Sequence, residues 1–258
     1  MDYKNQAEGL EKLKELVENS KNTSVYTAFE VSRLSGVPDY RLPHGNETSP
    51  WQGIQMDRLL SWDYFISRPE VVYAWARDMW FSMEDYEPNR IHTLLSEGMQ
   101  SGRIKNVITE NIDMLLQRAG IGNPLELKGS PYLSYCMKCG KPFLYTKVAP
   151  VVKEGEIPYC DLCGTIVRPS ILFIDEPMNK PIMKKAIPAF SFCNLCIVIG
   201  SPTPRKEIID LFKTVRKDKL VVLSPRETCI DDLAFIKLND IEGVMRELET
   251  SFRKPQPV

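Results

Sequence analysis

Two Cys-x2-Cys pairs, Cys136 with Cys139 and Cys160 with Cys163, are separated by twenty residues, and no other feature of the chain restricts its fold so sharply. Gly140 and Gly164 follow the pairs and permit the tight knuckles that turn two thiolates toward one tetrahedral ion. Four sulfurs close such a site, so the spacing predicts a structural Zn2+ held by Cys136, Cys139, Cys160 and Cys163 with no open position for catalysis. A third pair, Cys193 and Cys196, has no partner pair and opens an apolar run, where core packing is expected. Seven cysteines is an odd number and fits a fully paired secreted framework poorly, so a reducing, cytoplasmic setting is expected.

At 258 residues the chain can hold one large α/β domain with an insertion, or two compact domains. Lys and Arg total 33 against 34 Asp and Glu, a balance that argues against a dedicated nucleic-acid binder. Lys138, Lys141, Lys147 and Lys153 make the cysteine region locally basic, which is the ordinary look of a solvated face. The charged first twenty residues contain no apolar run of membrane-spanning length, and no membrane association is expected.

Leu10, Leu13, Leu16 and Val17 recur at helical spacing, and Ser24-Val25-Tyr26-Thr27-Ala28-Phe29 follows as a short strand. Residues 35–50 form a loop, and 51–82 carry helical periodicity with Pro50 and Pro69 suited to helix starts. Asn106-Val107-Ile108-Thr109, Ser170-Ile171-Leu172-Phe173-Ile174, Leu195-Cys196-Ile197-Val198-Ile199 and Leu220-Val221-Val222-Leu223 are apolar runs of strand length. With helical patterns between them, they predict a doubly wound parallel sheet whose ligands lie at the strands' carboxyl ends, near Phe29, Thr109, Leu127, Ile174, Gly200 and Ser224.

Several ordered stretches resemble the sirtuin family. Ser35-Gly36-Val37-Pro38-Asp39-Tyr40-Arg41, Pro88-Asn89-Arg90-Ile91-His92, Thr109-Glu110-Asn111-Ile112-Asp113 and Glu126-Leu127-Lys128-Gly129-Ser130 match its motifs, as do the cysteine pairs, Arg168-Pro169 and Gly200-Ser201. The resemblance implies a Rossmann-like large domain at 1–41, 89–134 and 166–258, a helical module at 42–88 and a zinc-ribbon module at 135–165. It also implies NAD as cofactor, an acylated-lysine protein or peptide as partner, and lysine deacylation with a histidine as general base. On the same footing Asn111 and Asp113 match nicotinamide-pocket positions, and Tyr40, Arg41, Gly200 and Ser201 match cofactor-side positions. A plainer reading of Asn111 and Asp113, as a helix cap and a first-turn acid, stays open. His92 is expected in the core, and His44 has no readable partner.

The chain departs from the family pattern where the chemistry would take place. Lys128 stands at the catalytic histidine's position, and a lysine with the reference pKa of ~10.4 is protonated at neutral pH and cannot serve as a base. The glycine loop that would approach a pyrophosphate reads Ala28-Phe29-Glu30, so weak or absent NAD binding is expected. Glu110 replaces a glutamine, Ile174-Asp175-Glu176 replaces Phe-Gly-Glu, and Pro202 and Ser224 replace a serine and an asparagine. These changes predict impaired or absent deacylation with a binding or regulatory role. The alternative is an ADP-ribosyltransferase, or a deacylase working through a different base. Lys128 is expected to pair with Glu110 or Glu30.

Overall fold

The computed structural model describes residues 5–38 and 51–254. A six-stranded sheet forms the larger layer, built from β1 (Thr23–Thr27), β2 (Ile104–Thr109), β3 (Leu125–Glu126), β7 (Leu195–Ile199), β8 (Leu220–Leu223) and β9 (Ile236–Leu238). Its order is β3-β2-β1-β7-β8-β9 and every pairing is parallel. The order runs outward in both directions from β1 and β7, the reversal that defines a doubly wound, Rossmann-like sheet. β1, β7 and β8 are buried along their whole length, as unbroken runs such as Leu195-Cys196-Ile197-Val198-Ile199 require when helices cover both faces. On one face Leu13, Leu16 and Val17 of the helix Gln6–Asn19 pack with Leu94 and Leu95 of the helix Arg90–Gln100. On the other, Phe190 and Phe212 meet Tyr26 edge to face, and Cys193 and Cys196 sit in that core as expected.

A second, antiparallel sheet has the order β5-β4-β6, from β4 (Gly129–Cys136), β5 (Pro142–Leu144) and β6 (Val167–Ile171). The strand expected at Ser170 to Ile174 is therefore misplaced on two counts. It is centred three residues earlier, and it pairs with β4 rather than joining the parallel sheet. Burial in β6 alternates residue by residue, the mark of a strand covered on one face only, and Val167, Pro169 and Ile171 are its buried members. Beyond it Leu172 N–H donates to the Lys128 carbonyl and Ile174 N–H to that of Leu60, so this backbone ties the two layers together.

Helices Met56–Leu59, Trp62–Ser67 and Pro69–Met79 share an apolar core with Val167 and Ile171 of β6, and Pro69 stands at a helix start as predicted. Trp75, Trp80 and Phe81 share one apolar core with Tyr145, Val148, Cys136, Cys160 and Phe173. Among the described residues, no helix is long and apolar enough to cross a membrane.

Candidate functional site

The carboxyl edge of the parallel sheet faces the helices at 56–83 across a cavity of about 350 Å³. Phe29, Met56, Leu60, Trp80 and Phe173 give it apolar walls, and Glu110, Asn111, Asp113, Lys128 and Thr203 bring polar atoms to it. Ile174 lines it too, although it belongs to no parallel strand. On the far side of Lys128 lies an outer groove of about 640 Å³ bordered by Glu126, Ser130, Tyr132 and Tyr135. Lys128 lines both spaces and forms part of the partition between them.

Its position is fixed from both sides along the chain. Leu127 N–H donates to Thr109 O at 2.8 Å, which holds the segment beside β2, and Gly129 then turns it into β4 with φ of 71°. A Cβ on residue 129 would fall 1.7 Å from the Ser170 carbonyl oxygen, so only glycine lets β4 approach β6 there. The Lys128 ammonium lies 2.8 Å from Glu110 Oε2 and donates to Thr203 Oγ1 at 2.6 Å. Thr203 closes the ring, its N–H donating to Glu110 Oε1 at 2.8 Å and its hydroxyl to Oε2. Of the two carboxylates expected as partners for Lys128, Glu110 is the one engaged. Burial pushes the Glu110 carboxyl up, but Lys128 and the two Thr203 donors outweigh it and hold the group below its ordinary range.

Glu30 has a separate partnership. Its carboxylate is almost wholly buried and accepts from Ser201 N–H at 3.0 Å and from the Arg226 guanidinium at 2.8 Å. Gly200, in the same turn, has φ of 97°, and a Cβ there would lie 2.3 Å from Glu30 Oε2. The Glu30 carboxylate thus occupies the donors presented by the turns after β7 and β8.

Asp113 accepts from Leu115 N–H at 2.9 Å and from the Ser32 hydroxyl, and burial pushes its carboxyl up. It does the first-turn work of the plainer reading while also lining the cavity. Asn111 is no helix cap: its amide donates to Ala28 O at 2.9 Å and joins the turns after β1 and β2. His92 is fully buried, its Nδ1 accepting from Asn89 N–H in a capping box, and burial lowers its pKa to about 4. In the outer groove, burial raises Glu126 to about 7 against the opposing donors Gln117 and Ser130.

The four cysteine sulfurs lie within 4.8 Å of one another, with Cys136 and Cys163 at 3.4 Å and Cys139 and Cys160 at 3.6 Å. Thiolates about 2.3 Å from one tetrahedral ion would stand about 3.8 Å apart, so this donor set fits Zn2+. Lys138 and Cys139 N–H groups each point at Cys136 Sγ from 3.4 Å, and Gly140 and Gly164 take the positive φ expected of the knuckles.

A family model described as the Sir2 family matches residues 30–204, well over half of the chain. The chain belongs to the Sir2 family. A protein of Thermotoga maritima named NAD-dependent protein deacetylase is 35% identical over 227 residues, covering 87% of this chain and 90% of that one. A namesake from Saccharolobus solfataricus is 32% identical, covering 87% and 89%. A solved Sir2 structure bound to a propionylated peptide superimposes with a TM-score of 0.82 at 31% identity, covering 95% and 99% of the two chains. Another, bound to acetylated peptide, gives 0.80 at 29% identity.

Within this Sir2 chain Lys128, Asn111 and Asp113 meet at the inner cavity, whereas Ser201 N–H binds Glu30 and Gly200 leaves room for that carboxylate. Tyr40, Arg41 and His44 lie outside the described residues. Ile174-Asp175-Glu176 serves the layer junction: Asp175 accepts from Trp62 N–H at 2.6 Å, and Glu176 binds Arg168, which stacks 4.4 Å from the Trp62 ring centroid. Sequence reasoning missed Thr203 and Arg226. Each is far along the chain from the acid it serves, Glu110 or Glu30, and no local pattern marks either.

Proposed function

We propose that this Sir2-family protein binds an acyl-lysine segment in the cleft between its two layers without NAD-dependent turnover. The ring of Lys128, Glu110 and Thr203 carries the reading. A general base needs a free acceptor atom within reach of the proton it takes. Lys128 presents an ammonium, and Glu110, with three donors on its two oxygens and its pKa held low, has little capacity left. Glu30 in the donor pocket speaks against NAD by a separate route. The solved relatives hold propionylated and acetylated peptides, and the apolar walls of the inner cavity suit a short acyl chain in the same way. Lys128, at the partition, would then meet the acyl oxygen with a donor, and Asn111 and Asp113 would shape the back of the cavity.

The test offers fluorescent peptides with and without acetyl-lysine to the zinc-loaded protein, first alone and then with NAD. The expected result is a peptide affinity at least about tenfold higher for the acetylated form, with nicotinamide release no faster than the blank. Turnover near the ordinary enzymatic range of about 1–10³ s⁻¹ would reject the reading. If that turnover disappeared in Glu126→Gln, the acid raised to about 7 would be the alternative base.

A further inference from the structure

Three turns meet at one point on the carboxyl edge of the parallel sheet, those that follow the adjacent strands β1, β7 and β8. They are fastened in series, with Ala28 N–H on Ile199 O and Gly200 N–H on Leu223 O, both at 2.8 Å. Ser201 and Ser224 also touch through their hydroxyls at 3.2 Å. Into the centre projects the Glu30 side chain, 4% exposed, bridging the Ser201 amide with one oxygen and Arg226 with the other. Arg226 is 47% exposed, so its guanidinium reaches this point from the solvent side.

One backbone N–H and one guanidinium converge beside a glycine without a Cβ, and donors of these two kinds bind phosphate oxygens elsewhere. A carboxylate from the chain itself fills it. We propose that Glu30 is an internal anion that determines specificity by occupying a latent pyrophosphate site formed by Gly200, Ser201 and Arg226. A second anion brought to the same donors meets both the occupied space and a like charge in a poorly screened setting. Withdrawal of the Glu30 carboxylate leaves Ser201 N–H and Arg226 without this acceptor, which favours an anion that can replace it.

This assignment rests on the reading above, that the cleft does not turn over NAD, and adds the reason and the residue. Calorimetric titration with sodium pyrophosphate alone, without peptide or NAD, separates the two: peptide turnover tests the former, and anion occupancy tests the latter. The full-length, zinc-loaded protein is compared with Glu30→Ala and with Glu30→Ala combined with Arg226→Ala, each checked for a cooperative melt. Glu30→Ala should bind pyrophosphate at least about tenfold more tightly than the unaltered protein, and the added Arg226→Ala should abolish that gain. Equal affinity in the unaltered protein and Glu30→Ala, or a folded Glu30→Ala that gains none, would overturn the assignment. Should Glu30→Ala fail to fold, Glu30→Ser takes its place, since it removes the charge and most of the occupied space while keeping a polar group. A rise in affinity then supports the internal anion, and an unchanged affinity rejects it.

Discussion

At the scale of single residues, Lys128 and Glu110 are one decision taken at two positions. A carboxylate with a side chain 3% exposed cannot stay charged alone, and Lys128 with Thr203 supplies the donors that let it do so. Removing one member of a buried pair leaves the other uncompensated, at a cost of about 3–5 kcal/mol. Lys128→Met should therefore lower unfolding free energy by about that amount. Lys128→Met with Glu110→Gln should recover more than half, because the orphaned charge has gone. Urea denaturation of the unaltered protein, Lys128→Met, Glu110→Gln and the double variant checks this as a double-mutant cycle, and additive losses would mean that the pair is not coupled. Lys128→His in the same protein should restore no deacylation of an acetylated peptide, since Glu110 remains in place and Glu30 still fills the donor pocket.

At the scale of elements, the most exposed to correction are the short strands at the layer junction. β3 has two residues, Leu125 and Glu126, and pairs with β2 at the sheet's edge. The Glu126 carboxyl is half-buried beside Gln117, and desolvation pushes its pKa up to about 7 against an ordinary 4.5. Between those two values the folded chain holds a proton that the unfolded chain has released. The stabilising contribution is fully present below about pH 4.5 and is lost as pH rises through about 7. Glu126→Gln should thus be more stable than the unaltered protein at pH 8, by about 1–3 kcal/mol, and show no such gain at pH 4.5. Denaturant midpoints at the two pH values decide it. β7 and β8 were legible to the residue, because a run of five or four apolar residues bounded by turns offers few other readings. β6 was not. The apolar run from Ile171 onward looks the same whether its amides bond a parallel neighbour or, as here, the turn at Lys128 and the helical layer.

At the scale of the whole molecule, the metal site and the helical layer are parts of one core. Cys136 and Cys160 are buried with Trp75 and Trp80, and all four tryptophans lie between 51 and 80, outside the cysteine module. Stripping zinc with a chelator, or Cys160→Ala, should therefore shift tryptophan emission to the red as well as release about one equivalent of metal. The melting midpoint should fall by about 10 °C or more, since binding there is coupled to folding. An unchanged emission spectrum in metal-free protein would show the helical layer to be independent of the zinc module. Periodicity and spacing were enough to place the doubly wound sheet and to bring four cysteines together at metal-site spacing, and residue identity marked Lys128 and Ala28-Phe29-Glu30 as departures from the family pattern. Those are matters of periodicity, spacing and residue identity, which survive in one dimension. The folded chain chose Glu110 over Glu30 for Lys128 and joined them through Thr203, gave Glu30 to Arg226, and put the helices in one core with Cys136 and Cys160. Those pairings join residues separated by 75 to 196 positions or by whole elements, and they are fixed by the convergence of parallel strand ends, which no local pattern records.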